Sequence, residues 1–312
     1  MDISIIILTN QGEKLLGTLL DVIYKQKTIY KFEVICVDSG SKDKTVNICQ
    51  QYPVKLFKIK NHEFNHGLTR NLGINKASGD YVVFITQDSL PTDEFWLDNL
   101  VSSFAEDEKI AGVYCRQLPK SDADCITRRH LNNWLTAGKN KRINVIDNWQ
   151  SYNNLLPMQK YMFCNFDDVC SCIKKTVWEK IPFSDTYFAE DLGWSKEVLE
   201  AGYKIMYQPK AAVIHSHNRS LLYEYKRTYF CHRRLYQLFK LQLVPSFNHA
   251  LKFYFSTIIP DTKFIIRNEK SVIKGFKLSL KNFLLSFISI YAQYKGAKDE
   301  KNNLPFKKVK GI

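Results

Sequence analysis

The feature that most constrains the fold is an alternation of two hydrophobic patterns at the start of the chain. Residues 3–8 and 32–37 are nearly continuous apolar runs, rich in Ile and Val, at the length of a β-strand. Between them, apolar side chains recur at the spacing of one helix face: Leu15, Leu16, Leu19, Leu20 and Ile23. Strands that are apolar on both faces are typical of parallel sheets covered by helices. The pattern therefore predicts a β–α–β unit.

The alternation continues to about residue 116. In order, we expect a helix at 45–51, a strand at 54–59, a helix at 69–76, a strand at 81–86, a helix at 95–104 and a strand at 110–116. Successive β–α–β repeats predict an α/β fold: a Rossmann-like, mostly parallel sheet flanked by helices.

Residues 120–160 lose this alternation and are polar, which predicts an insertion or a mobile loop. A helix over 190–201 should follow and end at Gly202. We then expect strands at 203–207 and 212–215.

Positive charge is concentrated after this region. Residues 219–312 hold 19 Lys or Arg against 5 Asp or Glu, whereas residues 1–218 hold 26 of each. We therefore divide the chain into an α/β domain, 1–218, and a basic, mainly helical region, 219–312. Basic residues with aromatics between them suit an anionic membrane surface, and we expect membrane association there. Packing on the α/β domain or a homodimer is the alternative.

Composition excludes other classes of protein. With 45% hydrophobic and 13% aromatic residues, 13 Gly and 9 Pro, the chain is neither disordered nor collagen-like. No helix-turn-helix, zinc-finger or RNP-type pattern supports nucleic-acid binding by the basic region. The start lacks a basic leader, and the longest apolar stretch is well short of the roughly 20 residues of a spanning helix. We expect a cytoplasmic protein, peripheral on the inner face of the cell membrane.

Polar side chains stand where predicted parallel strands end. Thr9 ends the first strand, Asp38 the second, and Gln87 and Asp88 follow the strand at 81–86. Ligands bind at this edge of such sheets. Helix capping or turn formation is the alternative role for each Asp.

The turn after the first strand carries neither the Gly-x-Gly-x-x-Gly pattern nor a Walker A loop. A nucleotide diphosphate bound here would need another counter-charge, which a divalent cation on Asp88 would supply.

Two further motifs suggest chemistry. Glu190 and Asp191 open a predicted helix, where acids are common because they complement the helix dipole. Asp191 facing the cleft would instead be a general base. His215 and His217 flank Ser216 at a strand end, so one of them should reach the cleft and complete a metal site.

The order of these motifs resembles family 2 glycosyltransferases over about residues 1–218. The motifs are Thr9-Asn10, Asp38-Ser39-Gly40-Ser41-x-Asp43, His66-Gly67-x-x-Arg70-Asn71-x-Gly73, Thr86-Gln87-Asp88, Glu190-Asp191-x-x-Trp194 and His215. Three of the motifs are most similar to those of bacterial rhamnosyltransferases of surface polysaccharide synthesis: Phe64-Asn65-His66-Gly67, Thr86-Gln87-Asp88 and His215-Ser216-His217. The resemblance implies an A-type glycosyltransferase fold and an inverting transfer from a nucleotide sugar.

The resemblance also implies residue roles. The donor-binding residues would be Thr9 and Asp38, at the base and ribose, Arg70, near the diphosphate, Gln87 and Asp88. Asp88 matches the last acid of the metal-binding Asp-x-Asp motif, whose first acid is here Thr86. With His215, or else His217, it would bind Mg²⁺ or Mn²⁺.

On the acceptor side, Asp191 matches the catalytic base. Glu190 and Trp194 would contact the acceptor, together with the segment at 163–168, and core packing is the alternative for Trp194.

The expected donor is dTDP-L-rhamnose, and the expected acceptor is a lipid-linked oligosaccharide or polysaccharide. Three alternatives stay open: the same fold with a UDP-hexose donor, a non-catalytic homologue, and a nucleic-acid-binding protein that uses the basic tail.

Overall fold

The computed structural model describes residues 2–186, 188–217 and 220–305. The strands are β1 Ile3–Thr9, β2 Phe32–Asp38, β3 Val54–Lys58, β4 Tyr81–Ile85, β5 Leu90–Pro91, β6 Ile110–Leu118, β7 Arg142–Asn144, β8 Cys170–Lys174 and β9 Lys204–Ile214. The α-helices are α1 Leu16–Tyr24, α2 Thr45–Cys49, α3 His66–Asn75, α4 Trp96–Val101, α5 Cys125–Asn132, α6 Trp149–Asn153, α7 Pro157–Phe163, α8 Lys175–Trp178, α9 Glu190–Glu200, α10 Leu221–Phe239, α11 Phe247–Asn268 and α12 Val272–Lys301. Short 3-10 helices cover Asn61–Glu63, Ser102–Glu106 and Leu135–Ala137.

The chain divides into two compact units. The first comprises the described residues up to Lys120, Leu131–Asn154 and Phe163–His215. The second comprises Ser121–His130, Leu155–Met162 and the described residues from Ser216 onward.

The β–α–β unit predicted at the start of the chain is confirmed. β1 pairs in parallel with β2 on one side and with β4 on the other. The helix-spaced side chains of α1 are fully buried against the sheet: Leu16, Leu19, Leu20 and Ile23. Each contributes roughly 1.5–3 kcal/mol by leaving water, so this stripe fixes which face of α1 meets the sheet.

The strands of the described residues form one sheet in the order β3-β2-β1-β4-β8-β6-β9-β5, with β7 paired to β9. The pairs on the β3 side are parallel, whereas β8 runs antiparallel to both β4 and β6. The sheet is therefore a mixed α/β sheet flanked by helices. The α/β class is as predicted. In addition to the parallel strands, β8 pairs antiparallel with β4 and β6, and β5 and β7 pair antiparallel with β9.

Residues 120–160, predicted to be an insertion or a mobile loop, are not a loop. This segment forms α5, the 3-10 helix Leu135–Ala137, β7, α6 and the start of α7. Its order comes from distant partners: the Tyr207 hydroxyl donates to the carbonyl oxygens of Thr136 at 2.8 Å and Gly138 at 2.7 Å. The guanidinium of Arg142 lies over the Tyr207 ring, 4.2 Å from its centroid. Such contacts leave no periodic signal in the segment itself.

β9 replaces the two short strands expected near residues 203–215. Its pairing with β6 shifts register between Gln208 and Ala212. Pro209 lies in this irregularity, where its missing N–H costs no ladder hydrogen bond. The predicted helix end at Gly202 is confirmed, since Gly202 follows α9 with φ of +83°.

The second unit is helical after residue 220, as predicted. Ser220 caps α10 by accepting from the Tyr223 N–H, and Ser246 and Ser271 cap α11 and α12 in the same way. Among the described residues, no helix has the combination of length and apolarity needed to cross a bilayer.

Candidate active site

The carboxyl ends of β1, β2 and β4 meet at one edge of the sheet. Thr9 lies opposite Asp38 in the β1–β2 register, and its hydroxyl donates to the Asp38 carboxylate at 3.1 Å. The second oxygen of Asp38 accepts from the backbone N–H groups of Gly40 at 3.1 Å and Ser41 at 3.0 Å. Asp38 thus closes the turn after β2 and brings Thr9 to the same point of the edge.

Gln87 links the loops that follow β1 and β4. Its side-chain oxygen accepts from the Asn10 N–H at 3.0 Å, and its side-chain nitrogen donates to the Asn10 carbonyl at 2.8 Å. The family resemblance implies that Gln87 contacts the donor, whereas its amide is bonded to the Asn10 backbone. Gln87 therefore shapes the edge by bracing two loops.

Asp88 and His215 lie together, as expected of a metal pair. The Asp88 carboxylate is 3.6 Å from Nε2 of His215, at the end of β9. His217, the alternative ligand expected from the sequence, belongs to the second unit.

Gln117, on β6, fixes the orientation of the His215 ring. Its amide nitrogen donates to the Asp167 carboxylate at 2.7 Å, so its amide oxygen faces Nδ1 of His215 at 3.3 Å. Because an amide oxygen only accepts, this contact assigns a proton to Nδ1 and leaves Nε2 on the side of Asp88. This tautomer is assigned from the hydrogen-bond network and is the one that a metal-ligating histidine adopts. The separation of 3.6 Å between Nε2 and the Asp88 carboxylate is short enough for both to bind one cation.

Asp191 lies in the first turn of α9, within a group of acids. One oxygen accepts from the Asp168 N–H at 3.2 Å and the other from the Leu192 N–H at 2.7 Å. Burial, with the nearby charges of Glu190, Asp168 and Asp167, raises the pKa of Asp191 well above its usual range, and Arg70 opposes this only in part. A carboxylate whose pKa is raised towards neutrality is a better proton acceptor than an ordinary Asp.

The backbone before Asp191 is strained. Ala189 caps α9 in the left-handed region, with φ of +53° and ψ of +45°. A residue with a Cβ pays about 1–2 kcal/mol there, and such strain is concentrated at functional sites.

Arg70 lies inside the unit, on α3, between two acids. Its guanidinium bonds Glu190, and its Nε lies 3.1 Å from the Asp168 carboxylate. All three side chains are buried. Burial works to lower the pKa of Arg70, but the carboxylates of Glu190 and Asp168 outweigh it and the pKa is raised. The guanidinium is therefore held as a cation by the protein's own acids.

These contacts change two of the roles expected from the sequence. Arg70 was expected near the donor diphosphate and Glu190 at the acceptor, yet each is buried and neutralises the other. The contact of Trp194 with the acceptor is also not retained. Trp194 is 1% exposed, and its indole N–H donates to the Ile181 carbonyl at 2.9 Å. Trp194 is a core residue.

The Asn65-His66-Gly67 motif positions α3. Asn65 caps the helix by accepting from the Leu68 N–H at 3.0 Å, and its amide donates to Asp185 at 2.9 Å. A Cβ on Gly67 would lie 2.4 Å from the Ser184 carbonyl oxygen. Only glycine permits this approach, which holds α3, and Arg70 on it, against the segment that leads into α9.

Three residues of the site had no assigned role in the sequence analysis. Asp167 and Asp168 fell only within a segment expected to contact the acceptor, and Gln117 was not singled out. Adjacent acids before a strand were the one visible signal for the first two. Gln117 is a single polar residue in a strand, and only the sheet topology brings β6 and β9 side by side.

Comparisons with known proteins identify the family of the chain. The model of the family described as Glycosyl transferase family 2 matches residues 4–169. The O-antigen chain rhamnosyltransferase RfbN of Salmonella typhimurium is 35% identical over 231 residues, which are 73% of this chain and 70% of that protein. The O-antigen chain rhamnosyltransferase WbaN of Salmonella anatum is 34% identical over 208 residues, 65% of this chain and 62% of that protein.

Solved structures show the same fold at low identity. The mannosyltransferase PcManGT from Pyrobaculum calidifontis, in complex with GDP-Man and Mn²⁺, superposes with a TM-score of 0.61 at 15% identity, over 97% of this chain and 88% of that one. S. aureus TarS 1–349 in complex with UDP-GlcNAc gives 0.54 at 16% identity, over 100% of this chain and 95% of that one. The family match over more than half of the chain, with the RfbN alignment, confirms the resemblance drawn from the motifs: the chain belongs to glycosyltransferase family 2 and is an inverting glycosyltransferase with the A-type fold.

Proposed function

We propose that the chain transfers L-rhamnose from dTDP-L-rhamnose to a hydroxyl of a lipid-linked oligosaccharide or polysaccharide, at the inner face of the cell membrane. The 35% identity to an O-antigen chain rhamnosyltransferase carries the proposal. The site supports the transfer chemistry, because it combines a carboxylate of raised pKa with a polar strand edge.

The proposed reaction is a single displacement. The acceptor hydroxyl gives its proton to Asp191 while its oxygen forms a bond to the anomeric carbon of rhamnose. The bond between that carbon and the diphosphate oxygen breaks, dTDP leaves with the electron pair, and the configuration inverts. One base suffices for this reaction, so no second nucleophilic carboxylate is needed.

Each remaining residue is proposed to orient a reactant or the base. Thr9 and Asp38, which are buried and bonded to one another, shape the β1–β2 edge that receives the base and ribose of the donor. Arg70 pairs with Glu190 and Asp168 and holds them in place, so Asp168 continues to present its N–H to Asp191.

Asp88 and His215 are proposed to hold the divalent cation. A bound cation would neutralise charge that develops on the leaving diphosphate. An imidazole ligand favours Mn²⁺ over Mg²⁺, which prefers oxygen ligands and retains its waters.

A donor panel tests the proposed function. We expect dTDP-L-rhamnose to bind at least about tenfold more tightly than UDP- or GDP-sugars, since pockets discriminate related ligands on this scale. Its slow hydrolysis in the absence of acceptor should be faster than theirs by a similar factor. Calorimetry and nucleotide release measure the two properties. Preference for a UDP-hexose would replace the donor assignment and leave the family assignment intact.

The metal proposal makes a separate prediction. Asp88→Ala and His215→Ala should each weaken Mn²⁺ binding by the free enzyme by about tenfold or more, and Gln117→Leu by about 10–100-fold, as for residues that orient a ligand. Free Mn²⁺ is followed by its paramagnetic resonance signal, without any turnover. Asp80→Ala is the matched control, because Asp80 precedes β4 whereas Asp88 follows it. Unchanged Mn²⁺ affinity in Asp88→Ala would refute the assignment.

A further inference from the structure

The helix α12 exposes large apolar side chains over most of its length and buries polar ones in the same stretch. Val272 is 87% exposed, Phe276 71% and Phe287 59%, whereas Asn282 and Ser286 are buried at 4% and 8%. A helix folded only against its own chain shows the opposite arrangement. Exposed apolar patches of this kind mark binding surfaces.

The exposed apolar residues of α12 form a continuous strip, here called the α12 stripe. Its members are Val272, Ile273, Phe276, Leu280, Phe283, Leu284, Phe287 and Tyr291. At 3.6 residues per turn and 1.5 Å per residue, they fall within an arc of about 120° and extend about 28 Å along the axis.

A second strip runs along α11 and is here called the α11 stripe. Its members are Phe247, Leu251, Phe255, Ile259 and Ile266. Tyr254 connects the two stripes. Its ring lies 5.4 Å from that of Phe283, and its hydroxyl donates to the Phe283 carbonyl at 3.3 Å. The same ring is 5.5 Å from Phe255.

Lysines border both stripes on one side of each helix. Lys252 and Lys263 flank the α11 stripe, and Lys274 and Lys277 flank the α12 stripe, all four exposed. Residues 247–301 hold 10 Lys or Arg and 4 Asp or Glu, a net charge of +6.

Most acids of this region do not face outward. Asp261 and Asp299 are buried, and they pair with Arg129 and Lys295. Glu300 pairs with Arg233. The outward surface around the stripes is therefore both apolar and cationic.

We propose that the two stripes bind the surface of an anionic bilayer, with their side chains in the acyl boundary and the bordering lysines at the lipid headgroups. An amphipathic helix lying in the membrane plane has this distribution of residues. A second copy of the chain fits less well, because a symmetric contact would bring the same lysines of both copies together. The proposal uses the proposed function only for its membrane-linked acceptor.

Insertion of the two stripes into the bilayer should also change how membrane binding depends on salt. Charge alone predicts binding that disappears as salt screens the lysines. Insertion of Phe and Leu side chains adds a component that salt does not screen, so part of the binding should survive about 1 M salt.

Flotation with vesicles of phosphatidylglycerol and phosphatidylcholine tests the proposal on the full chain. Phe276→Gln/Phe287→Gln should weaken partitioning roughly a hundredfold, because each parent side chain leaves water on insertion. Lys274→Gln/Lys277→Gln should weaken it roughly thirtyfold at low salt, at about 1 kcal/mol per lysine. Ile29→Gln/Leu156→Gln is the matched control, since both residues are exposed and lie outside α11 and α12. The control should float like the parent.

Three outcomes would overturn the proposal. The parent does not float with anionic vesicles at low salt; the stripe variant floats like the parent; or sedimentation shows a dimer that the stripe substitutions dissociate, with no vesicle binding. Calorimetry with dTDP-L-rhamnose is run on every variant. If the parent does not bind dTDP-L-rhamnose, the proposed donor is rejected. The flotation result does not depend on that outcome.

Discussion

Asp191→Asn is expected to lower turnover by roughly 10²–10⁴-fold, the contribution of a positioned general base. Asn keeps the size of the side chain and one acceptor oxygen but cannot take the acceptor's proton. Donor affinity should change little. The melting temperature should not fall, because the substitution removes one charge from a buried group of acids. Steady-state kinetics and calorimetry measure these effects.

The pH dependence gives a second readout for the same residue. The base is active when deprotonated, so the rate rises with pH through the pKa of Asp191. Because that pKa is raised, the acidic limb of kcat/KM should lie above the range of an ordinary Asp. This acidic limb should be absent from the pH profile of the residual activity of Asp191→Asn. Glu200→Gln, at the other end of α9, is the matched control and should retain parental turnover. Turnover of Asp191→Asn within about threefold of the parent would remove Asp191 from the role of base.

Arg70→Met is expected to destabilise the fold by about 3–5 kcal/mol at neutral pH, because it leaves the buried carboxylates of Glu190 and Asp168 without their counter-charge. Denaturant unfolding of the parent and the variant measures the difference. The loss should shrink in Arg70→Met/Glu190→Gln/Asp168→Asn, which buries no unpaired charge.

Lowering the pH should also reduce the loss. Burial already raises the pKa of Asp168 to about 6 against the pull of Arg70, and without Arg70 it should rise further. An acid whose folded pKa exceeds its unfolded value binds more protons when folded, so the variant's stability increases as pH falls through that window. If Arg70→Met keeps the stability of the parent but binds the donor more weakly, Arg70 contacts the diphosphate as the sequence predicted.

The sequence was most informative where local patterns decide structure. The apolar spacing in α1 and the runs in β1 and β2 predicted the β–α–β unit, because burial of a face with the right period stabilises only one element type. The polar residues Thr9 and Asp38 were correctly expected together, since parallel strands bring their carboxyl ends to one edge.

The roles of Arg70, Gln117 and Trp194 needed the tertiary structure. Arg70 and Glu190 are 120 positions apart in the chain, and Gln117 and His215 are 98 apart. No local pattern records whether a charged side chain at such a position faces a ligand or another buried charge. That choice depends on desolvation, which the packed interior imposes.

What the sequence by itself determined, then, is the order of elements, the ligand-binding edge of the sheet, the family and the basic character of the second unit. What only the tertiary structure decided is which polar groups neutralise one another inside, and which apolar side chains of α11 and α12 remain outside. The reason is that periodicity specifies a face for each helix or strand, but the partner of that face is set by chain topology and by the balance between desolvation and pairing.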